Sequence, residues 1–214
     1  MMAQPSVCVR FPASRLLMAV CVLFVVGITR QTMAQDGSSG ERPEVLLKTS
    51  MGEIQIELNP QEAPKTVENF LNYVKSDFYD GTVFHRVIPG FMIQGGGLDK
   101  DLVEKPTQDP IVNEAGNGLS NKKYTIAMAR TPDPDSATSQ FFINVADNAN
   151  LDRTPGSAGY AVFGRVVKGL EVVDKIASVK TGRKPAGGPR PMLMRDVPLE
   201  PVVIEEAKVV ESSR

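Results

Sequence analysis

Residues 84–97 of the chain read Phe84-His85-Arg86-Val87-Ile88-Pro89-Gly90-Phe91-Met92-Ile93-Gln94-Gly95-Gly96-Gly97. Two short apolar runs flank Pro89-Gly90, and this pattern predicts two strands joined by a turn. On adjacent strands, the guanidinium of Arg86 and the amide of Gln94 would lie beside the apolar side chains of Phe91 and Met92. The three glycines lack the lysine and the spacing of a phosphate-binding loop. Composition alone favours a hairpin with buried aromatic residues over a binding site.

Short apolar runs separated by Gly, Pro, Asn and Asp continue on both sides of this hairpin. They predict strands over residues 45–49, 53–58, 82–87, 91–94, 124–129, 140–145, 160–166 and 201–210. Apolar residues three and four positions apart predict a helix over 64–75, and a second helix is predicted over 169–176. Many strands with two helices and no internal repeat indicate one β-rich domain, a barrel or a sandwich.

Segment 181–201 is predicted to be a surface loop with ordered ends, because prolines and glycines interrupt it. It belongs to a cationic stretch without acidic residues, formed by Lys180, Arg183, Lys184, Arg190 and Arg195. Such a stretch can contact an anionic membrane surface or partner. A solvated loop explains the same residues and is the favoured interpretation.

The composition of the 214-residue chain excludes several classes of protein. Hydrophobic residues make up 42% and charged residues 23%, a globular mixture. The 24 basic and 25 acidic residues nearly balance, so charge gives no indication of a nucleic-acid partner. One histidine and two cysteines cannot supply the four ligands of a Cys/His zinc site.

The first 34 residues have the pattern of a secretory signal peptide. They contain no acid, and Arg10 and Arg15 precede an uncharged apolar run over residues 16–28. Thr32-Met33-Ala34 places small residues where a signal peptidase cleaves. We expect residues 1–34 to be removed, 35–44 to form a flexible tail, and the product to be periplasmic. A retained anchor or a misassigned start codon are the alternatives, and Val20 disfavours lipoprotein processing at Cys21.

Cleavage would leave a mature chain without cysteine, since Cys8 and Cys21 both lie in the leader. The exported product would then have no disulfide and no cysteine nucleophile. Removing the leader arginines leaves 21 basic and 25 acidic residues, a formal net charge of −4. The mature chain is long enough to bury a core without covalent staples.

Three separated motifs together resemble the cyclophilins, the peptidyl-prolyl cis-trans isomerases. They are the 84–97 stretch, residues 126–130 with 138–144, and Leu151 followed by residues 160–166. The resemblance covers about residues 45–210 and is greatest to the exported bacterial cyclophilins. It implies a mainly β fold, a closed eight-stranded antiparallel barrel capped by two α-helices, over an isomerase domain at 45–211. It also implies that no cofactor and no metal are needed.

The resemblance implies a role for individual residues. Arg86 aligns with the catalytic arginine, and the residues aligned with the substrate-binding groove are His85, Phe91, Met92, Gln94, Ala129, Arg130, Gln140, Phe142, Leu151 and Tyr160. Two positions depart from the family pattern. Asn150 stands where a tryptophan usually forms the pocket rim, and Tyr160 stands where a histidine forms the far wall. Because an asparagine offers less apolar surface than an indole, we expect weak binding of cyclosporin.

The implied function is rotation about X–Pro peptide bonds, which assists the folding of exported proteins. The partners would be proline-containing polypeptides, unfolded or flexible, with no nucleic acid, no stable membrane insertion after cleavage, and a monomeric enzyme. One alternative is a chaperone module that binds proline peptides with little turnover. Another is a secreted hydrolase with His85 as base and a serine nucleophile, although the chain has no Gly-x-Ser-x-Gly motif.

Overall fold

The computed structural model describes residues 42–187 and 192–210. The strands in these ranges are β1 Glu44–Thr49, β2 Gly52–Leu58, β3 Arg86–Ile88, β4 Met92–Gly95, β5 Thr125–Met128, β6 Phe141–Asn144, β7 Val162–Lys168, β8 Thr181–Pro185, β9 Leu193–Pro198 and β10 Ile204–Val210. The helices are α1 Pro64–Lys75 and α2 Leu170–Ala177. The proposed leader, and the tail up to residue 41, lie outside the described residues.

Eight strands form one curled antiparallel sheet, in the order β10-β1-β2-β7-β5-β6-β4-β3. This confirms the mainly β fold with eight antiparallel strands and two helices. The predicted closure of the barrel is overstated, because β3 and β10 share no strand ladder. Residues just before them are joined instead by an isolated bridge between Val83 and Val203. β3 begins only at Arg86, so residues 82–84, predicted as part of this strand, make the closing contacts.

The core lies inside the curled sheet and beneath helix α1. Alternating residues of β1 and β2, such as Val45, Leu47 and Ile54, are fully buried, as expected for strands with one face toward a core. Helix α1 buries Val67, Phe70 and Val74. Phe70 meets Tyr79, Phe141 and Phe163 with ring centroids 5.1–5.6 Å apart. Because this packing occupies the inner face of the sheet, the remaining side chains of β4 and β6 project from its outer face.

Segment 181–201 is a β-hairpin rather than the predicted loop. Strands β8 and β9 pair antiparallel and form a separate two-stranded sheet. Prolines stand at the ends of these strands, at Pro185 and Pro198, where they do not interrupt the ladder. The prediction failed because most β8 and β9 side chains are exposed or half-buried, so no apolar alternation marks the strands. Of the basic residues noted there, Arg190 lies outside the described residues.

Among the described residues, neither helix has the length and apolar character needed to cross a membrane.

Candidate active site

The hairpin predicted from residues 84–97 is present as β3 and β4. Its register places Arg86 opposite Gln94, and the next strand places Phe142 opposite Gln94. Residues directly opposite in an antiparallel sheet project from the same face. Arg86, Gln94 and Phe142 therefore form one row across three strands, on the outer face of the sheet.

All eleven residues assigned to the site from sequence line one cavity of about 530 Å³. They are His85, Arg86, Phe91, Met92, Gln94, Ala129, Arg130, Gln140, Phe142, Leu151 and Tyr160. The segments that supply them are far apart in the chain and become neighbours through the pairing of β4 with β6 and of β5 with β6 and β7. The structure thus brings the predicted residues together, while their individual roles stay predictions.

The floor of the cavity is apolar. Met92, Ala127, Phe142 and Val162 form a buried cluster, against which Phe91, Leu151 and Tyr160 pack. The Tyr160 ring meets the Phe142 ring edge-on, with centroids 5.6 Å apart and planes at 79°. This arrangement offers a flat-walled apolar recess suited to a small ring.

The polar residues of the cavity differ in whether their side chains are hydrogen-bonded to the rest of the protein. The Gln94 amide donates to Oε1 of Gln140 over 3.0 Å. The Arg130 guanidinium lies 4.6 Å from the Tyr160 ring centroid, and its Nε donates to the carbonyl of Gly159 over 3.0 Å. The Arg86 side chain makes no hydrogen bond and no ion pair with any described residue. Its N–H donors are therefore available to a bound molecule.

His85 is buried at the edge of the cavity, with 3% of its surface exposed. Burial lowers the pKa of His85 from 6.5 to about 4, so its imidazole is neutral at pH 7. Its Nδ1 has no hydrogen-bond partner among the described residues. The cavity lining contains no serine, threonine or cysteine in the described part of the chain.

The glycine triplet at the end of β4, Gly95 to Gly97, allows close packing below the cavity. A Cβ on Gly97 would collide with the side chain of Gln140, and one on Gly96 with the Phe141 ring. Gly96 also has a φ of 81°, which L-residues other than glycine rarely adopt. The triplet therefore lets the chain pass directly beneath Gln140.

Comparison with known proteins shows the family. The model for the cyclophilin type peptidyl-prolyl cis-trans isomerases matches residues 44–209. The chain belongs to this family. Among curated proteins, the isomerase cyp18 of Streptomyces antibioticus is 60% identical over 169 residues, covering 78% of this chain and 98% of that protein. Isomerase A of Dickeya dadantii is 56% identical over 167 residues, covering 78% of this chain and 84% of that protein.

More distant relatives agree. Isomerase B of Escherichia coli is 50% identical over 170 residues, covering 78% of this chain and 99% of that protein. A Cryptosporidium parvum cyclophilin of known structure superposes with a TM-score of 0.64 at 22% identity, over 80% of this chain and 99% of its own. The family is shown by the sequence relatives and the fold by the structure. The cyclophilin is thus a peptidyl-prolyl cis-trans isomerase, as the resemblance implied.

Sequence reasoning missed a second group of cavity residues in the cyclophilin. They come from the segment after β4 and from the β8–β9 hairpin, and they are Leu98, Leu102, Glu104, Ala186, Gly187, Met192 and Met194. A surface loop over 181–201, as predicted from its prolines and glycines, has no connection to the site. The apolar run Met192-Leu193-Met194 is the signal in the sequence that indicates a buried or binding role there.

Sequence reasoning also missed a chain of buried amides behind the cavity. Asn148 Nδ2 donates to the Phe91 carbonyl over 2.8 Å and to Oδ1 of Asn144 over 2.7 Å. Asn144 Nδ2 donates to Oδ1 of Asn121, whose own Nδ2 donates to Oδ1 of Asp152. These bonds hold the Phe91 turn against the segment that carries Leu151.

Asn150 lies on a 3-10 turn over Ala149–Leu151 and is exposed, whereas its neighbour Leu151 lines the cavity. The expectation of weak cyclosporin binding stays a prediction. Within the described residues, no three His, Cys, Asp or Glu side chains are grouped so that they could hold a metal ion.

Proposed function

We propose that Arg86 is the catalytic residue of this isomerase. Rotation of an X–Pro amide meets a barrier of about 18–20 kcal/mol, because twisting breaks amide resonance. In the twisted amide, the prolyl nitrogen regains a lone pair. A guanidinium that donates to this nitrogen stabilises the twist and opposes the return of resonance. No covalent bond is broken, so the reaction needs no nucleophile.

The observation that carries this proposal is a guanidinium that has no partner among the described residues and lies beside an apolar floor in one cavity. The Phe91, Met92 and Phe142 side chains would grip the prolyl ring while the acyl half rotates. Binding the twisted amide more tightly than either planar form is what accelerates the exchange. Arg suits this role because its charge is permanent and its donors are fixed in a planar fork.

Replacement of Arg86 tests the mechanism. Arg86→Ala should lower kcat/KM on X–Pro peptides about 10²-fold or more, the usual cost of removing one donor to a transition state. Arg86→Lys should fall in between, because it keeps the charge and loses the fork. The measurement is peptide cis-trans exchange followed by NMR, with circular dichroism to show an unchanged fold. Wild-type rates in Arg86→Ala, or loss of activity in EDTA, would contradict the proposal.

Peptide binding separates an isomerase from a module that only binds. If Arg86 acts on the twisted amide, Arg86→Ala should keep its affinity for X–Pro peptides within a few-fold while losing turnover, since the apolar floor is untouched. Arg165→Ala is the matched control: Arg165 is an exposed arginine paired with Glu57 and is absent from the cavity lining. It should match wild type in both measurements.

We further propose that the cyclophilin is exported and acts on flexible proline-containing segments of exported proteins in the periplasm. The support is the acid-free leader with its apolar run, together with a mature chain that lacks cysteine. Cleavage near Ala34 would release the isomerase domain from the leader.

N-terminal sequencing of the protein purified from its host tests export. We expect a start near Gln35 and recovery in the periplasmic fraction. Leu23→Arg interrupts the apolar run and should leave an unprocessed precursor, whereas Leu23→Ile should be processed normally. A native N-terminus upstream of Leu23 would contradict export by a cleaved leader.

A further inference from the structure

The cavity extends beyond the residues that would hold a proline ring. Its volume, about 530 Å³, lies in the range of pockets that enclose drug-sized ligands, so a prolyl ring fills only part of it. The remainder is lined by Leu98, Leu102 and Glu104 and by residues of the β8–β9 hairpin. A substrate polypeptide held at its proline can therefore place a flanking residue against these walls.

The hairpin is fixed in place beside the cavity. Its residue Val197 packs in a small buried cluster with Val83, Leu98 and Leu102, against which Met194 also packs. Gly187 N donates to the Leu102 carbonyl over 3.0 Å. A Cβ on Gly187 would lie 2.5 Å from the backbone oxygen of Asp101, so only glycine permits this approach. The cavity wall formed by the hairpin is thus part of the packed structure.

Met192 is a large apolar residue that is mostly exposed at this wall of the cavity. It is 73% exposed and lines the cavity together with Met194, while its neighbour Leu193 is 58% exposed and is absent from the lining. This difference follows from strand alternation, which turns successive side chains to opposite faces. Its backbone is held, since Ala186 N donates to the Met192 carbonyl over 2.8 Å. Methionine side chains are flexible and polarisable, and they adapt to apolar groups of different shape.

We propose that Met192 and Met194, with Leu98 and Leu102, form a second subsite that binds an apolar side chain of the substrate next to the proline. The subsite rests on the proposed function, because its occupant is the polypeptide whose X–Pro bond is isomerised. Its effect is on specificity: peptides with an apolar residue at one flanking position bind more tightly than peptides with glycine there. Leu98 and Leu102 form the base of the subsite, and the two methionines cover its open side.

A peptide panel tests this subsite. Leu, Gln or Gly is placed in turn at each position that flanks the X–Pro bond, and kcat/KM is measured for every peptide. At one position, Leu should exceed Gly and Gln roughly five- to tenfold, as expected from burying about 40–60 Å² of apolar surface. Met192→Gln keeps the length of the side chain and removes its apolar end, so it should abolish this preference.

Leu193→Gln is the matched control, because it places a glutamine at the neighbouring position of the hairpin, whose side chain is absent from the cavity lining. It should retain the preference for Leu and turn over the Gly peptide at the wild-type rate. The subsite is overturned if wild type shows no preference, if Met192→Gln retains it, or if Leu193→Gln loses it equally. Failure of wild type on all peptides would instead overturn the isomerase mechanism, and the subsite with it.

Discussion

At the scale of single residues, two arginines line the same cavity and differ in their surroundings. Arg130 stacks on Tyr160 and donates to the carbonyls of Gly159 and Thr131. Arg86 has no such partner among the described residues. A side chain that is already engaged serves to shape a wall, whereas an unpaired guanidinium beside an apolar floor can act on a substrate. This contrast supports the proposal that Arg86 is the catalytic residue and predicts that Arg130 belongs to the cavity wall.

The burial of His85 makes the stability of the protein depend on pH. Burial lowers its pKa to about 4, against 6.5 for the exposed imidazole of the unfolded chain. The unfolded chain therefore binds the proton more tightly, and stability falls as the pH drops from about 6.5 to about 4. At about pH 4.5 this one residue should lower the free energy of unfolding by about 2–3 kcal/mol relative to neutral pH.

Urea unfolding of wild type and His85→Gln, at neutral pH and near pH 4.5, measures this dependence. The variant should lose about 2–3 kcal/mol less on acidification, whatever its stability at neutral pH. Because the chain has one histidine, NMR titration of its imidazole gives the pKa directly. An imidazole that titrates near 6.5 in the folded protein would refute the prediction.

At the scale of elements, helix α1 shows how a distant residue completes a local structure. Its N-cap residue, Ala63, has no side chain able to cap the helix, and its first turn contains no acid. Glu114, 48 residues away in the sequence from Thr66, supplies the missing cap and the missing negative charge. Its Oε2 accepts from Thr66 N over 2.8 Å and from Thr66 Oγ1 over 2.7 Å. The carboxylate also accepts from Lys65 N. A negative group at this end also complements the helix dipole.

Glu114→Ala should lower the free energy of unfolding by about 1–2 kcal/mol, the usual cost of losing a helix cap. Glu114→Gln should cost less, because its amide oxygen still accepts one of these bonds. Glu68→Ala is the control, since Glu68 makes only an exposed ion pair with Lys65 and its removal should cost about 0–0.5 kcal/mol. Equal losses in Glu114→Ala and Glu68→Ala would show that Glu114 does not cap the helix.

At the scale of the whole molecule, large apolar side chains that are exposed are few among the described residues. Several lie on or near the β8–β9 hairpin, namely Met192, Leu193, Leu199 and Val103, and of these Met192 alone lines the cavity. A stable dimer buries roughly 1,200–2,000 Å² in total, more than these few side chains provide. We therefore expect a monomeric enzyme.

Light scattering of the purified protein tests this expectation. The mass should be that of one chain across a wide range of concentration, and the Met192→Gln variant should give the same value. A mass of two chains that reverts to one in Met192→Gln would mean that the hairpin joins two copies, contrary to the prediction.

Most of the architecture follows from the order of the amino acids. Periodicity located both helices and the strands of the main sheet, because each element repeats the apolar spacing of its own geometry. Helix α1 spans residues 64–75 as predicted, since Pro64 fits a first turn and the apolar stripe ends at Val74. The motifs gave the family and eleven residues that line one cavity.

The residues that complete the site become neighbours only when the chain is folded. The β8–β9 hairpin carries little apolar alternation, and its position beside Leu102 depends on packing and on one backbone hydrogen bond. The incomplete closure between β3 and β10, the Glu114 cap and the buried Asn144 chain likewise join residues far apart in sequence. Local patterns record the environment of each element along its own axis. They do not show which distant surface that element contacts. For this reason, the position of Met192 and Met194 at the cavity is seen only in the folded chain.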